Sequence, residues 1–246
     1  MLKTILRSPV ITVLLFVMAA ALLGFGTVGA VQAAPRIQSG DFRAEAKLTN
    51  IKTALTENGT VREGDDDLLK TFLADNGDSE LKIGKTYPYK LGVRNVADAK
   101  SGGIPQHVRV TVHKFWSLTD AEGNPLTHDG SKQGKAFSLD PSLIELHFVE
   151  GNGWTIDKNA STDERTVLYY SGVLEPGQDT PDFTDTLTIN GKVVTDMTRL
   201  ADGSDQFSYE GVQFRIKATV DAVQTHNGEA ALNGAWGQHK YVNVED

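Results

Sequence analysis

The segment Tyr209–Gly237, YEGVQFRIKATVDAVQTHNGEAALNGAWG, constrains the fold more than any other stretch. Val212, Phe214, Ile216, Ala218 and Val220 alternate with Gln213, Arg215, Lys217, Thr219 and Asp221. Alternation with a period of two over this length predicts an antiparallel strand with one face on a core and the other in water. The strand ends in a polar turn, His226-Asn227-Gly228, and a run of small residues, Glu229–Ala235, leads on to Trp236. A strand of this kind cannot bury its apolar face alone. The rest of the chain must supply a sheet and an opposing layer.

The N-terminus follows a different rule. Lys3 and Arg7 precede an uncharged apolar run, Val10–Leu23, and small residues fill Gly24–Ala33. This is the layout of a secretory signal peptide. Val31-Gln32-Ala33 fits the small-x-small cleavage rule, and Pro35 disfavours a cut after Ala34, so cleavage is expected between Ala33 and Ala34. The competing reading is a retained anchor, because Val10–Ala30 is nearly long enough to span a bilayer. Gly24, Gly26 and Gly29 and the cleavage-like site favour removal. The expected organisation is a signal peptide over 1–33, a mobile segment over 34–41 and one domain over 42–246. The remainder is long enough for one sizeable core. With no cysteine, no disulfide can staple it. The formal charge of −8 becomes more negative once Lys3 and Arg7 are removed, which suits a soluble exported protein and disfavours nucleic acid.

Further strands are expected along the chain. Phe42, Ala44, Ala46 and Leu48 alternate within Phe42–Leu55, and Glu57-Asn58-Gly59 is a turn. Asp65–Ala74 is the best helix candidate: Asp65, Asp66 and Asp67 suit an N-terminus, and Leu68, Leu69, Phe72 and Leu73 form one stripe. Tyr87, Tyr89, Leu91 and Val93 alternate, with Pro88 placing that part at an edge. In Gln106–Trp116, Val108, Val110 and Val112 face in, while His107, Arg109, Thr111 and His113 face out; Phe115 lies on the outer face or beyond a bulge. Leu143–Val149 and Trp154–Ile156, joined by Gly151-Asn152-Gly153, suggest a hairpin. Arg165–Tyr170 and Phe183–Ile189 follow, then a short helix or irregular crossover over Lys192–Leu200. Eight to ten short strands with polar turns predict an all-β sandwich or barrel with one short helix.

Three stretches are similar to one family. They are the strand ending at Asn95 followed by Val108-Arg109-Val110, the run Tyr169-Tyr170-Ser171-Gly172-Val173-Leu174-Glu175-Pro176-Gly177 with FTDTLTI after it, and the C-terminal Ala-Trp-Gly. Together they resemble exported surface and biofilm-matrix proteins of the TasA/camelysin type from Gram-positive bacteria, typically processed by a SipW-type signal peptidase. Ile83-Gly84 departs from the Pro-Gly usual there. The resemblance implies a jelly-roll sandwich and a secreted structural role at the cell surface or in a matrix fibre. It also implies that a freed N-terminal segment lies as a strand in the sheet of the next subunit. Here the donor residues are Ile37, Phe42, Ala44, Ala46 and Leu48. The implied partners are further copies or a related matrix protein, with signal peptidase during export and membrane contact only through the signal segment.

Chemistry is sparse. Camelysin carries a peptidase label, but no His-Glu-x-x-His is present, and His107 and His113 are about 20 Å apart on an extended strand. His128, His147, His226 and His239 are scattered. Asp120-Ala-Glu122-Gly-Asn124 has alternate oxygen ligands, but Pro125 stands where a calcium loop turns on glycine. Asp202-Gly203-Ser204-Asp205 reads as a turn, and Ser171-Gly172 lacks the Gly-x-Ser-x-Gly setting. No catalytic residue, metal or cofactor is expected. The alternatives are a camelysin-like metallopeptidase and a monomeric adhesin using Trp116, Trp154, Tyr169, Tyr170 and Trp236 as a carbohydrate platform.

Overall fold

The computed structural model describes residues 37–38, 51–62, 68–118, 134–238 and 240–244, all within one structural unit, Pro35–Asp246. Its spine is a pair of thirteen-residue strands, β6 (Gln106–Leu118) and β13 (Val212–Gln224). They pair antiparallel in unbroken register from Gln106 opposite Gln224 to Leu118 opposite Val212. Phe115 therefore keeps its place on the outer face with no bulge, yet it is buried. The inward residues Val108, Val110, Val112, Ile216, Val220 and Ala222 all belong to the core.

Around this pair the first sheet takes the order β1 (Ile37–Gln38), β13, β6, β9 (Arg165–Tyr170), β8 (Trp154–Ile156). The opposing layer contains β2 (Thr53–Glu57), β3 (Thr60–Arg62), β4 (Thr86–Pro88), β5 (Leu91–Asn95), β7 (Ile144–Phe148) and β10 (Thr184–Ile189). These form two ladders, β3-β2-β5 and β4-β10-β7. Backbone bonds from 177–185 to β5 and Tyr89 join them, including Phe183 N–H to the Leu91 carbonyl at 2.7 Å and Tyr89 N–H to the Asp185 carbonyl at 2.8 Å. Tyr89, Leu91, Val93, Leu187 and Ile189 of this layer share one hydrophobic core with the first sheet. The described fold is all-β, antiparallel and sandwich-like.

Several expectations are met for visible reasons. Asn58 and Gly59 both have positive φ, 48° and 78°, as a tight two-residue hairpin turn between β2 and β3 requires. Pro88 lies on β4, the edge of its ladder. Two of the family-like stretches meet at Asn95. Its amide donates to the carbonyls of Ile104 and Leu174 at 3.0 Å each, and its side-chain oxygen accepts from Ala97 N–H at 3.1 Å. Its backbone carbonyl accepts from Gly177 N–H at 2.8 Å. One buried side chain thus ties the end of β5 to the segment after β9.

Three expectations are corrected. β7 and β8 form no hairpin: β7 pairs with β10 and β8 with β9, so 149–153 crosses between layers. Asn152 anchors that crossing by donating to the Asp182 carbonyl at 2.8 Å. The expected helix at 65–74 is a single turn, α1 (Phe72–Asp75), with Asp65, Asp66 and Asp67 outside the described residues. Leu69 has φ +74°, which no helix continues through, because its N–H is drawn to the Glu57 carboxylate at 2.8 Å. Phe72 still reaches the core, where it meets the rings of Tyr87 and Tyr89 at 5.2 and 5.4 Å. The longest described helix is instead α2 (Gly228–Trp236), whose Ala231, Leu232 and Trp236 are buried at helical spacing. At Lys192–Leu200 a 3₁₀ turn over Gly191–Val194 leads into β11 (Met197–Arg199), which pairs with β12 (Asp205–Phe207) as an exposed ribbon.

Glu57 shows how much one carboxylate holds. It is buried, accepts from Tyr89 OH and Leu69 N–H at 2.8 Å each, and meets Arg62 Nη2 at 2.6 Å. Removing one partner of a buried ion pair costs about 3–5 kcal/mol. Glu57→Ala is expected to lower Tm by roughly 6–20 °C for a domain of this size. A calorimetric scan checks this, and an unchanged Tm would show that the network adds nothing.

Candidate functional site

The site that the fold leaves available is the second edge of β13. One edge is fully engaged by β6. Along the other, the only strand among the described residues is β1, with Ile37 opposite Ala222 and Gln38 opposite Asp221. No described strand lies beside Val212–Val220, a span of about 30 Å at 3.3 Å per residue. The other sheet edges are shorter: β8 and β3 have three residues each. Short edges resist unwanted pairing, and a long one invites an added strand.

The side chains along this edge are graded. Ile216, Val220 and Ala222 are fully in the core, but Val212, Phe214 and Ala218 on the same inward face are only partly buried. An added strand would complete their burial. On the outward face Gln213 and Lys217 are exposed, while Asp221 is buried and contacts Arg109 across the sheet, Nε to Oδ2 at 3.0 Å. Of the expected donor residues, Ile37 lies on this edge; Phe42, Ala44, Ala46 and Leu48, with the cleavage residues Ala33 and Ala34, lie outside the described residues.

The outer face beside the edge carries a feature that sequence reasoning missed. Residues 228–238 and 240–244 lie over β6 and β9. Arg109 stands 5.4 Å from the Trp236 ring, and Tyr169 packs on Trp236 at 5.5 Å and on Tyr241 at 5.2 Å. Asp157, after β8, holds the tail by accepting from Gln238 Nε2 and Tyr241 OH, each at 3.2 Å. Burial alone would raise this carboxyl. The bonds from Gln238, Asn159, Tyr241 and Ala160 outweigh burial and hold it below its ordinary value. The only hint in the sequence was helix-forming Ala and Leu within Glu229–Trp236.

The remaining candidates disperse. His107 is buried, His113 is half-buried on the same face, and His147 is exposed and paired with Asp185 at 2.7 Å. His226 is exposed, and His128, His239 and the Asp120–Asn124 loop lie outside the described residues. Among the described residues, no group of three or more potential metal ligands comes together. Asp202 Oδ1 accepts from Ser204 N–H at 2.9 Å, an Asx turn. Among the described residues, no helix is long and apolar enough to cross a membrane.

The aromatic residues considered for a sugar platform are mostly interior. Trp154, Trp116, Tyr169 and Trp236 are buried, and the indoles of Trp116 and Trp154 donate to the Asp140 and Pro181 carbonyls at 2.8 Å. Comparison with family models, with curated proteins and with solved structures returned no match. Trp116→Ala and Trp154→Ala are each expected to cost about 3–5 kcal/mol, as core truncations do. Urea denaturation checks this. A variant of unchanged stability would return its ring to the surface.

Proposed function

We propose that this chain is a secreted structural protein, a subunit or accessory component of an extracellular matrix or surface fibre, built on a jelly-roll form of the sandwich. The carrying observation is the antiparallel seat of Ile37–Gln38 on the edge of β13, along which no other strand lies among the described residues. A strand that pairs within its own chain can make the same pairing with a neighbouring copy, and a head-to-tail exchange of this kind need not close. The resemblance to TasA/camelysin-type proteins supports the same reading.

The size pattern of the donor segment suits the edge. β1 runs along β13 towards Val212. Continued in register, β1 would set Phe42 opposite Lys217, so the proposed pairing requires one extra residue, a β-bulge, between Gln38 and Phe42 to bring the alternation of 42–48 into phase with the inward face. In the proposed fibre, Phe42 then stands opposite Ala218, Ala44 opposite Ile216, Ala46 opposite Phe214 and Leu48 opposite Val212. In three of the four pairs a large residue faces an alanine, and the partly buried Val212, Phe214 and Ala218 become covered. The role needs no catalytic residue, metal or cofactor. Its partner is a second copy or a related matrix protein presenting the same edge.

Negative-stain electron microscopy tests the proposal. The chain beginning at Ala34 is expected to form filaments at high concentration. The chain beginning at Thr49 is expected to remain monomeric with native circular dichroism. Filaments of equal length from the truncated chain would remove the donor role.

A further inference from the structure

The cover formed by 228–244 rests on an unusual footing. Gly228, at the start of α2, is buried against the side chains of His107 and Val244. A Cβ there would meet Val244 Cγ1 at 2.9 Å and stand 3.5 Å from His107 Nε2, so the first turn sits directly on the imidazole. The ring is buried, and its Nδ1 has no hydrogen-bond partner. The Trp236 indole N–H at the other end of α2 is likewise buried without one. The seam therefore combines apolar contact, from Ala231, Leu232 and Trp236, with two buried polar atoms left without partners. The cover's hydrogen bonds lie at the margins: Gln238 and Tyr241 donate to Asp157, Gln238 also to the Tyr169 hydroxyl at 2.8 Å, and Asn243 N–H to the Ser171 carbonyl at 2.9 Å.

A neutral imidazole tolerates this seat as an acceptor left idle. An imidazolium is disfavoured: its Nδ1–H would be a buried charged donor with no acceptor in hydrogen-bond range of that nitrogen, and the Gly172 backbone is the one group that favours the protonated ring. Few charges stand near enough to compensate. On its own face His107 is followed by Arg109, a cation already engaged by Asp221 of β13. Val223 is its direct partner on β13, and Val244 is its neighbour from the tail. The turn and first residues of α2 add His226 and Glu229, both exposed. Beyond β9 only the Gly172 backbone engages the ring.

We propose that Gly228–Val244 is an acid-released cover: protonation of His107 beneath Gly228 detaches it from the outer face of β6 and β9, while the two layers below remain folded. Release uncovers Tyr169 and the Arg109–Asp221 pair, and frees the apolar underside of α2, Ala231, Leu232 and Trp236. Burial holds His107 below the ordinary histidine value, with the Gly172 backbone opposing. The uncovered state therefore binds the proton more readily. Attachment is at full strength above about pH 6.5 and weakens as pH falls below it. Asp157 is held below its ordinary value, so its contribution fades only at lower pH. The step at mild acidity belongs to His107.

Hydrogen exchange of the full chain at about pH 7 and about pH 5, corrected for intrinsic rates, tests this. Peptides spanning 228–244 are expected to lose about tenfold in protection at the lower pH, within the limit of about tenfold per pH unit for one proton, while β6 and β13 keep theirs. His107→Gln should reduce that loss to less than about twofold. Equal protection at both pH values in the natural chain, or the same acid loss in folded His107→Gln, would overturn the proposal. If His107→Gln does not fold, the His107 ring proton is followed by NMR in the natural chain. A titration midpoint coinciding with release supports the cover, and a midpoint elsewhere overturns it.

Discussion

The unbroken ladder between β6 and β13 is the interaction on which the rest of the structure depends. Its register places six inward residues of β13 against the core and the polar set on the outer face, and a slip by one residue would exchange the two. Everything described here as functional is a property of β13 or its neighbours. The edge on which β1 sits lies on the side of β13 away from β6, with no other strand along it among the described residues, and the C-terminal cover lies on the outer face of the same sheet. The opposing layer completes the core. It is locked to the ladder end by Asn95, which bonds the Leu174 carbonyl, while Leu174 itself pairs with Gln106 at the start of β6.

The strands that carry the fold were legible because their physics is local. Alternation in 87–93, 106–114 and 212–220 marks the inward face, although the outer face of 106–114 is covered and His107 on it is buried, and the Asn58-Gly59 turn states its own geometry. What could not be read depends on distant partners. Leu69 leaves the helical region because Glu57, remote in sequence, takes its N–H. The stretch after Phe148 crosses between layers although its glycines suit a hairpin, because β9 and β10 are the partners in space. The helix at Gly228–Trp236 was hidden among residues that also suit a loop, and its seat on His107 is a tertiary fact.

The candidate site was legible in part. Alternation of Phe42, Ala44, Ala46 and Leu48 pointed to a strand without a fixed place, and Ile37 is the residue of that group found on a sheet edge. The partial burial of Val212, Phe214 and Ala218 could not be foreseen, because alternation marks which face is apolar and not whether anything covers it. Edge and cover follow separate rules. The edge offers backbone hydrogen bonds and apolar pockets to any strand of the right pattern. The cover is tied at its margins by Asp157 and Asn243 and rests on one buried ring under a glycine.

The most direct measurement exploits the absence of cysteine from the chain. Ile37 and Ala222 stand directly opposite in the antiparallel pairing. A chain carrying both Ile37→Cys and Ala222→Cys is oxidised at high concentration and resolved without reductant. If the segment pairs with a neighbouring copy, the product is a ladder of covalent oligomers that collapses on reduction. A single fast-migrating monomer closed by an internal disulfide would show that β1 serves only its own chain, and would contradict assembly through the β13 edge.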